Sequence, residues 1–197
     1  MANCKDDIRN QKFWRALVGE FIGTLFIVFF GIGSSISWNP PHTPSVVQIS
    51  LCSGLTVATM IQCFVHVSGA HFNPAITCTF LVTRQISVLR AFLYLVSQLI
   101  GAIAGAGLIY AVTPAGVRGG LGTTSLGAGV TAEQGFAIEY MITFVLLFTL
   151  CATIDPKRTD LQGSGPLAVG LSVVIGVLFA VGVTHDITSA KLPYLSH

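Results

Sequence analysis

Apolar residues in this chain are grouped in long runs rather than alternating with polar ones, and the runs are of membrane length. Five windows, 14–37, 46–66, 88–112, 134–154 and 166–184, are long and apolar enough to cross a hydrocarbon layer about 30 Å thick as helices. Between the second and third lies a polar, turn-forming octapeptide, Ser68-Gly69-Ala70-His71-Phe72-Asn73-Pro74-Ala75, which opens a shorter apolar run. Asparagine before proline is the favoured order of N-cap and first helical residue, so a short helix is predicted over 74–82. Non-helical backbone at membrane depth must be buried in protein or line a water-filled cavity. A helix starting there points its unpaired N–H groups and positive dipole end at whatever fills that cavity. The pattern predicts an all-α, polytopic membrane protein with five spanning helices and one re-entrant half-helix.

Composition sharpens this. Of 197 residues, 52% are hydrophobic and 9% charged, and mean hydropathy is +0.77. A soluble domain carries about a quarter charged residues, so a soluble fold is excluded. Basic residues fall mainly on one side: Lys5, Arg9, Lys12 and Arg15 before the first span, Arg84 and Arg90 between the second and third, Lys157 and Arg158 between the fourth and fifth. The other side carries Arg118 and, in the tail, Lys191. This asymmetry predicts a cytoplasmic N-terminus, a retained first helix and an external C-terminus. The net charge of +2 and the lack of a basic stripe give no reason to expect nucleic acid as a partner. Cys4, Cys52, Cys63, Cys78 and Cys151 have no metal-like spacing, and no disulfide framework, metal or cofactor is expected.

The chain repeats itself. Glu20-Phe21-Ile22-Gly23-Thr24 echoes Glu139-Tyr140-Met141-Ile142-Thr143, and Gly54-Leu55-Thr56-Val57 echoes Gly170-Leu171-Ser172-Val173. Units of three spans would enter the membrane in opposite senses, an inverted repeat whose site lies where broken helices meet. Asn73 lies 19 residues after Gly54, yet the equivalent position after Gly170 is Ser189, followed by Ala190-Lys191. The first repeat is expected at 13–112, a partial second at 134–184, a cytoplasmic segment at 1–12 and an unrelated tail at 185–197.

The stretch from Phe13 to Ala180 resembles the aquaporin (major intrinsic protein) family, water-selective branch. The resemblance is carried by Glu20, the Ser68-to-Thr77 loop, Gln98 with the Gly101–Gly107 small-residue stretch, Glu139, and Gly163-Ser164-Gly165-Pro166-Leu167-Ala168. It implies an inverted-repeat bundle, a homo- or hetero-tetramer with one pore per subunit, a plasma-membrane location, and single-file passage of water with protons excluded. It implies no enzyme activity; neither Glu20 nor Glu139 has a His, Ser or metal-ligand partner placed for acid–base chemistry. The chain departs from the family at four places. Ser53 stands where a bulky aromatic is usual at the outer constriction, Val177 where a His is usual, and Val65 where a Gly is common. The second Asn-Pro-Ala, with its following Arg, is missing, so the chain looks like a truncated or spliced form.

The resemblance assigns roles to residues that are costly or unusual on their own. Asn73 would donate its side-chain amide to a passing water, with Pro74 and Ala75 opening the half-helix and Ala70 and His71 exposing backbone carbonyls along the file. The helix dipole would disfavour cations and break a proton wire, less strongly with one half-helix than with two. His71 also reads as a turn-stabilising imidazole bonded to a carbonyl. Glu20, Glu139 and His66 would support the loop, a carboxylate in a span being paired or functional. Ser53 and Val177 would leave the outer mouth wide enough for small neutral solutes. The expected function is passive conduction of water; the alternative is a non-conducting chain that associates with full-length subunits and modulates them.

Overall fold

A computed structural model describes residues 10–123, 125–160 and 163–184, with side chains to Val181. Lys5, Arg9, Ser189, Lys191 and the tail at 185–197 lie outside the described residues.

Among the described residues six α-helices follow in order, α1 (Gln11–Ser35), α2 (Val46–Ser68), α3 (Pro74–Val82), α4 (Val88–Val112), α5 (Ala132–Ile154) and α6 (Gly165–Thr184), with one 3-10 turn at Ala115–Val117. α1, α2, α4 and α5 are each long and apolar enough to cross a membrane. The twenty residues of α6 extend about 30 Å at 1.5 Å per residue. The half-helix occupies the 74–82 window anticipated from Asn73-Pro74.

Polar residues at the helix starts set the boundaries. Side chains of Asn10, Ser45, Asn73 and Ser87 accept from the backbone N–H of Lys12, Gln48, Ala75 and Arg90, and Thr131 forms a capping box with Gln134. α2 ends at Gly69, whose φ of 85° is a left-handed conformation natural to glycine. Large apolar side chains such as Val18, Phe30, Leu55, Phe92 and Ile103 are exposed on the outside of the bundle, as a protein solvated by lipid requires.

Glycines set how closely the helices approach. Gly101 and Gly105 of α4 lie against the carbonyl oxygens of Phe21 and Leu25 of α1, so the two helices run in the same direction with backbones in contact. Gly54 of α2 and Gly170 of α6 face each other, and a Cβ on either would meet the other's carbonyl oxygen. These two occupy matching positions in the internal repeat. A reciprocal contact between matching positions is what a local twofold axis between inverted units produces.

The core lies beneath α3. Ile61, Ala70, Phe72, Ile76, Leu150 and Val169 form one buried cluster, drawn from α2, the 69–73 turn, α3, α5 and α6. A second cluster of Phe13, Ala16, Leu17 and Tyr94 joins the first turns of α1 to α4. By contrast, α5 buries only Gly135 and Leu150 among its described residues.

Candidate pore-loop site

Glu20 lies nine residues into α1, about 14 Å along its axis at 1.5 Å per residue. Its side chain is fully buried and its two oxygens are saturated with donors. Oε1 accepts from Ser68 Oγ at 2.6 Å and His71 N at 2.9 Å; Oε2 accepts from Phe72 N at 2.7 Å and Gln98 Nε2 at 2.8 Å. The loop backbone has no helical partner for these N–H groups, and the carboxylate supplies one.

This support permits an unusual chain path. Gly69, Ala70 and Phe72 all have positive φ, 85°, 53° and 49°, and such angles are uncommon for residues with a side chain. Ala70 N donates to Ser68 Oγ at 3.0 Å, and Tyr94 Oη donates to Ser68 O at 2.7 Å. The Phe72 ring fills a notch that only a glycine at position 23 leaves open, and it meets Phe64 edge-on at 6.0 Å. The turn is thus gripped by α1 at two successive levels, Glu20 and Gly23.

Asn73 ends the turn and begins α3. Its Oδ1 accepts from Ala75 N at 2.8 Å, which fixes the amide orientation because only the oxygen can accept. That leaves Nδ2 as the donor of this side chain. Asn73 and Ala75 are half-buried, Pro74 is exposed, and Ala70 and His71 are buried.

Other residues singled out in the sequence are placed differently. Among the described residues the His71 imidazole has no carbonyl partner: Nδ1 lies 3.2 Å from Thr77 Oγ1, because α3 brings that hydroxyl within reach six residues on. Glu139 and His66 are exposed on α5 and α2, and neither shares a hydrogen bond with the 68–82 segment among the described residues. Ser53 and Val177 are half-buried and flank the α2–α6 crossing, Ser53 beside Gly54 and Val177 one turn beyond Val174, which packs on Gly54. Outside the spans, the Arg158 guanidinium donates to Asp160 at 3.0 Å and holds that carboxyl below its usual range.

Sequence reasoning left Ser68, Thr77, Tyr94 and Gln98 without roles in this site. The signal available was polarity: each is a buried hydrogen-bonding side chain inside or beside an apolar run.

Comparison with known proteins gives the chain a family and a fold. Residues 7–187 match the family model described as Major intrinsic protein. The chain is 49% identical to Aquaporin-4 of Mus musculus over 177 residues, covering 88% of this chain and 55% of the relative. It is 47% identical to the lens fiber major intrinsic protein of Rattus norvegicus over 178 residues, covering 90% of this chain and 67% of the relative. The chain therefore spans about half the length of the Aquaporin-4 relatives it matches. Its fold is similar to the X-ray structure of the aquaglyceroporin from Plasmodium falciparum, with a TM-score of 0.77, 23% identity, and coverage of 87% of this chain and 74% of that one.

Proposed function

The chain belongs to the major intrinsic protein family, and from that premise we propose that it conducts water passively along a path beside Asn73. Ala70 and His71 offer backbone carbonyls to the file, Asn73 offers its amide, and Pro74 and Ala75 open the half-helix whose positive end faces the path. Ser53 and Val177 line the outer mouth and leave it wide enough for small neutral solutes. The functional unit covers 13–184, as a first repeat at 13–112 and a partial second repeat at 134–184. The N-terminus lies in the cytoplasm and the protein resides in the plasma membrane as a tetramer of aquaporin subunits.

One observation carries this reading. A fully buried carboxylate at Glu20 holds a left-handed turn that ends in an N-cap whose amide donor has no hydrogen bond among the described residues. A loop required only to connect two helices has no need of positive φ at Ala70 and Phe72.

The test is osmotic. The purified chain, reconstituted alone in phosphatidylcholine vesicles, is expected to shrink them faster than empty vesicles in stopped-flow light scattering, with a low activation energy. Shrinkage at the empty-vesicle rate would defeat the reading. The second reading, a non-conducting chain that modulates full-length subunits, draws on α5. Its Phe136, Tyr140, Phe144 and Phe148 are exposed at four-residue intervals. Co-purification with a full-length relative, together with empty-vesicle rates, would favour it.

A further inference from the structure

Thr77 is fully buried, and its hydroxyl has three polar neighbours, two in the 69–73 turn and one on α4. Gln98 Nε2 of α4 lies at 3.0 Å, Asn73 O at 3.1 Å, and His71 Nδ1 at 3.2 Å. A hydroxyl has one proton and two lone pairs, so all three contacts can be satisfied in only a few ways.

Gln98 removes most of the freedom. Its amide nitrogen commits one proton to Glu20 Oε2 and the other to Thr77 Oγ1. The reverse amide orientation would set an oxygen against the carboxylate, and Gln98 Oε1 accordingly has no partner among the described residues. Thr77 Oγ1 therefore accepts from Gln98. A threonine inside a helix ordinarily donates to the carbonyl four residues back, which here is Asn73 O. With its proton there, the remaining lone pair faces His71, and Nδ1 must be the donor. The ring is not free to turn away, because it is packed at 4.4 Å from the Phe80 ring and 5.2 Å from the Tyr94 ring.

We propose that Thr77 is a positioning residue whose hydroxyl locks the His71 imidazole with its proton on Nδ1 and so fixes the direction of the His71 carbonyl. The proposal rests on the conduction reading for its functional consequence, but not for its geometry. His71 is held from both ends: its backbone N–H by Glu20, its side chain by Thr77. The same hydroxyl grips Asn73 O, so one proton arrangement orients the two consecutive polar contacts offered to the water file.

The test pairs transport with spectroscopy on the full chain in phosphatidylcholine vesicles. Thr77→Val removes the hydroxyl at nearly constant shape, Thr77→Ser restores it, and Thr59→Val removes an exposed hydroxyl that likewise donates four residues back. Thr77→Val is expected to lower permeability per protein about fivefold, the scale on which one lost hydrogen bond shifts a population. Thr77→Ser is expected to recover it and Thr59→Val to leave it unchanged. In 15N-histidine spectra, with the His71 ring assigned by its loss in His71→Asn, the proton is expected on Nδ1 in the native chain and redistributed in Thr77→Val. An Nε2–H imidazole without an Nδ1 proton in the native chain overturns the proposal, even where Thr77→Val fails to fold. So does a Thr77→Val chain with unchanged His71 signals, or a slow Thr77→Ser chain. Should the native chain not exceed empty vesicles, the conduction reading fails while the His71 signals still decide the positioning role: redistribution supports it, and unchanged signals overturn it.

Discussion

At Glu20 the four incoming donors define what the residue must be. Ser68 Oγ, His71 N, Phe72 N and Gln98 Nε2 all point hydrogens at the carboxylate, so both oxygens are needed as acceptors. Glu20→Gln keeps the size but turns an amide nitrogen against two of those donors. A buried donor left unsatisfied costs about 1–3 kcal/mol, so this variant is expected to unfold several degrees lower in detergent and to lose most of its permeability. A melting curve matching the native chain's would contradict the role given to the carboxylate. The residue itself was legible in the sequence, since an ionisable group in an apolar run demands a partner. Its partners were only partly legible. Gln98 meets Glu20 across 78 positions of sequence, and no local pattern links them. Glu139 reads identically in the sequence, yet it sits exposed on α5, because the local pattern states a need for partners and not which residues meet it.

Helices were legible to within a few residues, and the discrepancies have physical causes. The first apolar window opens at 14, but α1 begins at Gln11, because the Asn10 side chain caps Lys12 N and draws polar residues into the first turn. The second window closes at 66, while α2 continues to Ser68, where Gly69 can take the left-handed stop. What periodicity could not convey was which helices touch. That information lies in the glycines, and Gly54 with Gly170 is the clearest case: matching residues of the repeat that bring α2 and α6 into backbone contact. Gly54→Ala places a methyl group against Gly170 O and Val174, and the helices must part. Overpacking of this kind costs about 1–3 kcal/mol, whereas Gly107→Ala, with open space around it, is expected to be neutral or to gain up to about 1 kcal/mol of helix propensity. Thermal unfolding of the two variants side by side checks this; a Gly54→Ala chain as stable as Gly107→Ala would mean the crossing is looser than described.

Over the whole molecule, the selectivity proposed above would follow from which positions carry bulk. The inner site is rigid by construction: α1 grips the 69–73 turn through Glu20 and Gly23, α4 reinforces it through Gln98 and Tyr94, and the core cluster backs α3 from below. Ser53 and Val177, by comparison, flank the α2–α6 crossing and share no hydrogen bond with that network among the described residues. If these two residues line the proposed mouth, its width can change without disturbing the turn. Selection between water and a larger neutral solute depends on pore diameter and on the polar groups lining it. Replacing Ser53 by phenylalanine adds a ring at a half-buried position beside the Gly54–Gly170 contact. Ser53→Phe is accordingly expected to lower the glycerol-to-water permeability ratio on the order of tenfold while leaving water conduction within about twofold. Parallel vesicle-shrinkage traces in sucrose and in glycerol gradients read both quantities from one preparation. If Ser53→Phe slows water and glycerol in equal proportion, the ring has narrowed a path already set by the inner site, and the mouth has no selective role. If neither rate changes, Ser53 does not line the path, and the selective width belongs to the turn at Ala70, His71 and Asn73 alone.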